Sequence, residues 1–199
     1  MSAQSPQVVG DEPLQRLQQW IADAHATGAA DVPMALATAD RHGLPSVRIV
    51  LLRGLDVRGL RFFTSYDSRK GRELAENPHA AAVLYWPELG RQARVEGAVS
   101  RLSDDESDTY FDARARGHQI GAWASEQSEP LAAREILDER FSHFEQRFED
   151  QPVPRPHSWG GFLLTPTRIE FWEHRPNRMH DRLEYVRDAN RWRTQRLQP

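Results

Sequence analysis

From Pro33 to Leu102 turn signals cut the chain into short runs rich in β-branched, aromatic and small apolar residues, and this punctuation constrains the fold more than anything else in the sequence. Met34 to Thr38 and Ser46 to Arg53 flank Asp40-Arg41-His42-Gly43, a spacing that predicts a hairpin. Asp56 to Gly59 makes a second turn before Leu60 to Thr64. Ala80 to Trp86 and Gln92 to Leu102 follow, joined by Pro87-Glu88-Leu89-Gly90. In the last of these runs Ala93, Val95, Gly97 and Val99 alternate with Gln92, Arg94, Glu96 and Ala98, the period of a strand with two unlike faces. Beyond a proline-rich connector at Gln151 to Pro156, a final set of strands is expected at Trp159 to Leu164, Arg168 to Trp172, Arg182 to Arg187 and Arg191 to Arg196.

Helices are inserted between these runs. Pro13 suits a first helical residue, with Asp11 and Glu12 near the positive end and Leu14, Leu17, Ile21 and Ala24 as an apolar stripe ending near Gly28. Ser68 caps a short helix that Asn77-Pro78 ends; its N-terminus is expected to aim free N–H groups outward beside Arg69 and Lys70, a recipe for a phosphate site. Ser103 with Glu106 forms a capping box opening a helix to about Ala113. Gln119 to Ser128 has no clear period and is expected to be a loop or short helix near a ligand. From Leu131 to Glu149, Ile136, Leu137, Phe141, Phe144 and Phe148 fit one helical stripe, with the aromatic residues expected in the core. The whole predicts a flexible arm over residues 1–12 and a single α+β domain over 13–199, built on an antiparallel barrel or strongly curled sheet with peripheral helices.

Composition narrows the function. A net charge of −3 lacks the basic excess of a nucleic-acid binder. No apolar run approaches the roughly 20 residues needed to cross a bilayer, and the first residues carry no apolar signal core, so a soluble, cytoplasmic protein is expected. Without cysteine there is no thiolate metal site or thiol nucleophile, and the eight histidines lack a metal-like spacing, so no metal is expected. Glycine-rich nucleotide loops, G-x-S-x-G and H-E-x-x-H are absent. The stretch Glu170 to Arg182 stands out instead. If extended from Arg178 onward, it puts Arg178, His180 and Arg182 on one face, two permanent cations around an imidazole, which suits a planar anion.

Taken in order, several segments resemble the pyridoxine/pyridoxamine 5′-phosphate oxidase family. They are Arg48-Ile49-Val50-Leu51-Leu52-Arg53-Gly54, Phe62-Phe63-Thr64 with Ser68-Arg69-Lys70-Gly71, Arg91-Gln92, Gln119 to Trp123 through Gln127-Ser128, Trp159-Gly160-Gly161, Glu170-Phe171-Trp172 and Arg178 to Arg182. The resemblance implies an FMN-binding split barrel and a homodimer with its two flavin sites at the subunit interface. It assigns Arg48, Ser68, Arg69 and Lys70 to the flavin phosphate. Ile49, Val50, Leu51, Leu52, Arg53, Phe63, Thr64, Gln92, Gln127, Ser128, Trp172 and Arg182 are implied as the remaining flavin contacts. For a phosphorylated pyridine substrate it points to Arg53, Tyr110, Arg114 and His118 at the phosphate, with Arg178 and His180 as catalytic residues beside the ring. The implied reaction moves a hydride from the exocyclic CH₂ of pyridoxine or pyridoxamine 5′-phosphate to flavin N5, giving pyridoxal 5′-phosphate, while molecular oxygen becomes hydrogen peroxide. Three positions depart from the family pattern: Arg53 stands where lysine is usual, His118 where serine is common, and the arm before Pro13 lacks the usual basic and aromatic residues. The alternatives are a related oxidase of another planar anion, of the phenazine-biosynthesis type, and a non-enzymatic flavin- or haem-binding module.

Overall fold

The computed structural model describes residues 7–8, 12–28 and 31–199. The arm expected over residues 1–12 lies outside them, except that β1 (Gln7–Val8) pairs with the last strand and Glu12 opens the first helix. Helix α1 (Glu12–Ala26) is amphipathic, and it buries Leu14, Leu17, Trp20 and Ala24 against the sheet. There Trp20 meets Phe171 edge-on at 4.8 Å.

The strands are β2 (Pro33–Ala39), β3 (Pro45–Leu51), β4 (Gly54–Asp56), β5 (Gly59–Ser65), β6 (His79–Trp86) and β7 (Arg91–Arg101), followed by β8 (Trp159–Glu173), β9 (Asp181–Asp188) and β10 (Arg191–Arg196). Between them lie α2 (Arg69–Glu76), α3 (Asp104–Asp112), α4 (Arg116–Ala124) and α5 (Arg134–Arg147). All pairings are antiparallel, in the order β1-β10-β9-β8-β7-β6-β2-β3. The first half of β8 pairs on its other side with β5, which itself pairs with β4. One strand thus serves two partners in succession along one edge, β5 and then β9, and the sheet curls around it.

Two details differ from the sequence expectation. The strand expected over Ser46 to Arg53 ends two residues early, at Leu51, and a further short strand, β4, follows at Gly54. Conversely, Trp159 to Leu164 and Arg168 to Trp172 are one strand. The register against β7 shifts between Glu96 and Gly97, which absorbs Pro166 without breaking β8. Gly97 makes this possible, because a Cβ there would sit 2.0 Å from the Thr165 carbonyl oxygen.

The main core fills the curl with Met34, Leu36, Leu60, Phe62, Leu84, Ile169 and Phe171. A second, smaller core joins Phe111, Ile120, Phe148, Val153 and Trp159. The aromatic stripe of α5 joins this second core as expected: Phe148, at the helix end, is buried in it, Phe141 and Phe144 are half-buried against it, and Phe144 packs on Trp123 at 5.7 Å. Among the described residues no helix is long and apolar enough to cross a membrane, and no three His, Asp or Glu side chains group to hold a metal.

Candidate active site

A cleft of about 710 Å³, within the range of small-molecule sites, opens where β3, β5, the start of α2 and the α3–α4 corner converge. One end is cationic and built around a buried carboxylate. Glu73, on α2, accepts hydrogen bonds on Oε2 from Ser46 (2.6 Å), Arg48 (3.2 Å) and Thr38, and on Oε1 from Arg69 Nε (2.9 Å). Burial pushes this carboxyl up, but the hydrogen bonds from Ser46, Thr38, Arg69 and Arg48 outweigh it and hold the group at about 2. Arg48 also donates to the Leu36 carbonyl (3.2 Å), Thr38 (2.5 Å) and Ser46.

Lys70 is buried and donates to Gln127 Oε1 (2.9 Å), Thr64 (3.0 Å) and Ser68 (3.2 Å). Burial, then repulsion from Arg48, lowers it to about 8 against the opposing pull of Glu73. Two of the first-turn N–H groups expected to be free are used within the chain. The Gly71 N–H goes to the Ser68 side chain and the Arg69 N–H to Ser128 Oγ at 3.2 Å. The positive charge of this end therefore comes chiefly from side chains. Ser128 holds a left-handed backbone, φ 78°, as it folds over the helix start.

At the other end Tyr110 stacks on Phe63, centroids 3.8 Å apart, with Trp159 in the same stack at 5.8 Å from Phe63. Arg114 lies over Trp159 at 4.4 Å, and its Nη1 is buried with no hydrogen-bond partner. Burial lowers its pKa; Tyr110 opposes this and Arg53 adds to it. Arg53 pairs with Asp31 at 2.9 Å, and His118 lines the rim, exposed. An unsatisfied guanidinium nitrogen beside a second cation and an aromatic wall fits an anionic group on a flat ring.

A second group of residues sits elsewhere. Gln92, Trp172 and Arg182 are direct cross-strand partners on β7, β8 and β9 and form one row, with Tyr85 of β6 next in line. Arg182 is held by Glu170, which is 2% exposed, through Nε to Oε1 at 2.7 Å and Nη2 to Oε2 at 3.1 Å. His180 packs on Trp172 at 4.5 Å, and its Nδ1 accepts the Arg175 N–H at 3.2 Å, leaving Nε2 for another partner.

The expected strand alternation from Arg178 to Arg182 does not occur. Pro176–Arg178 is a 3-10 turn, Asn177 and Arg178 have φ of 57° and 60°, and β9 begins only at Asp181. Pro176 starts this turn, and Arg175 braces it through Asp181 at 2.7 Å. Arg178 stands exposed, without an ion pair among the described residues.

Of the residues singled out from sequence, Arg48, Ile49, Val50, Leu51, Arg53, Phe63, Thr64, Arg69, Lys70, Tyr110, Arg114, His118, Gln127 and Ser128 line the one cleft. Leu52 and Ser68 do not. Leu52 belongs to the core, and Ser68 is fully buried, its Oγ donating to the Ser65 carbonyl at 2.7 Å and accepting from Gly71 N and Lys70. Gln92, Trp172, Arg178, His180 and Arg182 lie outside the cleft, toward the far end of β8 from Trp159, roughly 40 Å of fully extended chain away. Sequence reasoning missed Ser46, Trp159 and Glu73 as parts of the cleft and its support. Ser46 was findable from its i, i+2 relation to Arg48, and Glu73 from its i, i+4 relation to Arg69.

A curled antiparallel sheet with a side cleft that is cationic at both ends and aromatic along one wall defines a split-barrel protein. Comparison with known proteins agrees. Residues 22–148 match the family described as pyridoxamine 5′-phosphate oxidase, and residues 159–199 match the pyridoxine 5′-phosphate oxidase C-terminal dimerisation region. A pyridoxine/pyridoxamine 5′-phosphate oxidase from Rubrobacter xylanophilus is 51% identical, over 94% of this chain and 87% of the relative. Another from Myxococcus xanthus strain DK1622 is 48% identical, over 96% and 94%. The crystal structure of PhzG from Burkholderia lata 383, in complex with tetrahydrophenazine-1-carboxylic acid, superposes with a TM-score of 0.90 at 36% identity, covering 96% of this chain and 94% of that one. The chain belongs to the pyridoxamine 5′-phosphate oxidase family, a family of flavoprotein oxidoreductases.

Proposed function

We propose that this protein is an FMN-dependent oxidase that converts pyridoxine or pyridoxamine 5′-phosphate to pyridoxal 5′-phosphate, with oxygen as acceptor and hydrogen peroxide as product. The observation that carries the reading is one cleft with two anion-binding ends: Arg48, Arg69 and Lys70 at one, Arg53 and Arg114 at the other, with the Phe63–Tyr110 stack beside them. Two phosphorylated ligands, cofactor and substrate, are what such a cleft needs. Held in this cleft, FMN would supply the hydride acceptor and the route for electrons to oxygen. The chain's own part is to bind and orient. Arg53 and Arg114 grip the substrate phosphate, and the stacked rings exclude water beside it.

The row of Gln92, Trp172 and Arg182, with Arg178 and His180 nearby, completes the site across a homodimer: the row of one protomer closes the cleft of its partner. Two observations support this. Residues 159–199 match a dimerisation region, and β3, an edge strand beside the cleft, exposes Val47 (69%) and Ile49 (66%). In that arrangement Arg178 stabilises charge on the pyridine, and His180 uses its Nε2 on the substrate oxygen or nitrogen.

The test is a flavin spectrum followed by oxygen uptake with both 5′-phosphates. Yellow protein that forms peroxide and pyridoxal 5′-phosphate supports the reading; flavin-loaded protein without turnover overturns it. The likeness to PhzG favours one second reading, oxidation of a planar aromatic carboxylate, which a carboxylate in the same assay separates.

A further inference from the structure

We infer that Glu73 is a positioning residue for the cofactor phosphate, acting by aiming the guanidinium of Arg69 into the cleft. The inference rests on the FMN reading above. Arg69 is the most exposed cation at this end, with 60% of its side chain accessible, and its one side-chain partner among the described residues is Glu73, at Nε. An arginine anchored at Nε keeps both terminal nitrogens for an anion, in the fork that matches two phosphate oxygens. Unanchored, a side chain this exposed samples many rotamers, and binding must order it. Arg48 differs, because it is also held by the Leu36 carbonyl, Thr38 and Ser46 and keeps its place without Glu73.

Glu73 also brings a negative charge close to a site for an anion. Four donors already surround that carboxylate, so little of its field reaches the ligand. The aim it gives Arg69 outweighs the residual repulsion. Glu73→Gln therefore weakens FMN binding, although a simple charge count predicts the opposite.

The experiment is a fluorescence titration of the full-length apoprotein with FMN and with riboflavin, which lacks the phosphate. Expected is a rise in the FMN Kd of about tenfold for Glu73→Gln and a similar rise for Arg69→Ala. The double variant should be no worse than Arg69→Ala alone, and the riboflavin Kd should not move. Arg69→Lys keeps the charge but lacks Nε, and is expected to resemble Glu73→Gln; at so exposed a position it decides the matter even if Glu73→Gln does not fold. Tighter or unchanged FMN binding in Glu73→Gln, equal losses for riboflavin, or additive losses in the double variant would each overturn the inference. Because binding is read without turnover, a protein that binds FMN selectively but oxidises neither 5′-phosphate sinks the activity reading and leaves this one standing.

Discussion

Lys70 is a buried cation that donates to three oxygens of neutral side chains, and its charge is set by pH in a useful range. Held at about 8, it is charged below that value and neutral above it. A phosphate favours the charged form, so FMN affinity should fall as pH rises from 7 to 9.5, bending near 8, and Lys70→Met should flatten the bend. Equilibrium titration at several pH values measures this. Stability runs the other way. The unfolded lysine keeps its proton to about 10.5, so the apoprotein gains stability relative to Lys70→Met as pH rises from about 8 to about 10.5. Arg178 presents the opposite situation, exposed and with left-handed backbone. Its replacement by alanine should lower kcat/KM about a hundredfold with unchanged flavin occupancy, read by steady-state oxygen uptake and the flavin spectrum. Equal loss of both would show that it serves the cofactor.

Between β7 and β8, a glycine and a proline set the geometry. Gly97 admits the Thr165 carbonyl at the register shift, and a methyl group there meets backbone that has no free direction to move. Gly97→Ala is therefore expected to cost about 1–3 kcal/mol, measured by urea unfolding of the apoprotein. The cap signals of α2 and α3 were readable because they are local: Ser68 accepts from Gly71, and Ser103 and Glu106 exchange bonds. The α5 stripe was legible as a core-facing surface, but not the core that it would join. Its spacing is helical, but a period does not say which surface lies opposite, and α5 packs at the edge of the small second core.

Across the whole molecule, the candidate site residues fall into two groups that a single chain keeps apart. If protomers bring them together, Val47→Asp should yield monomers that lose flavin without unfolding, since Val47 is already 69% exposed in the isolated chain. Sedimentation velocity, circular dichroism and the flavin spectrum check the three parts. A stable dimer that keeps its flavin would place the interface elsewhere.

Most strand runs and the helix caps were legible along the chain, because each is written in spacing and residue type that neighbours express directly, and the ordered set of distant motifs carried the family resemblance. It also named most residues of the cleft. Only the folded chain sets Glu73 against Arg48 and Ser46, turns Ser68 and Leu52 inward, and lines up Gln92, Trp172 and Arg182 in one row. These depend on strand register and on the closing of a curled sheet, where residues far apart in sequence meet. The turn at Arg178 was decided the same way: Pro176, the Arg175–Asp181 pair and the packing of His180 on Trp172 override the period of two.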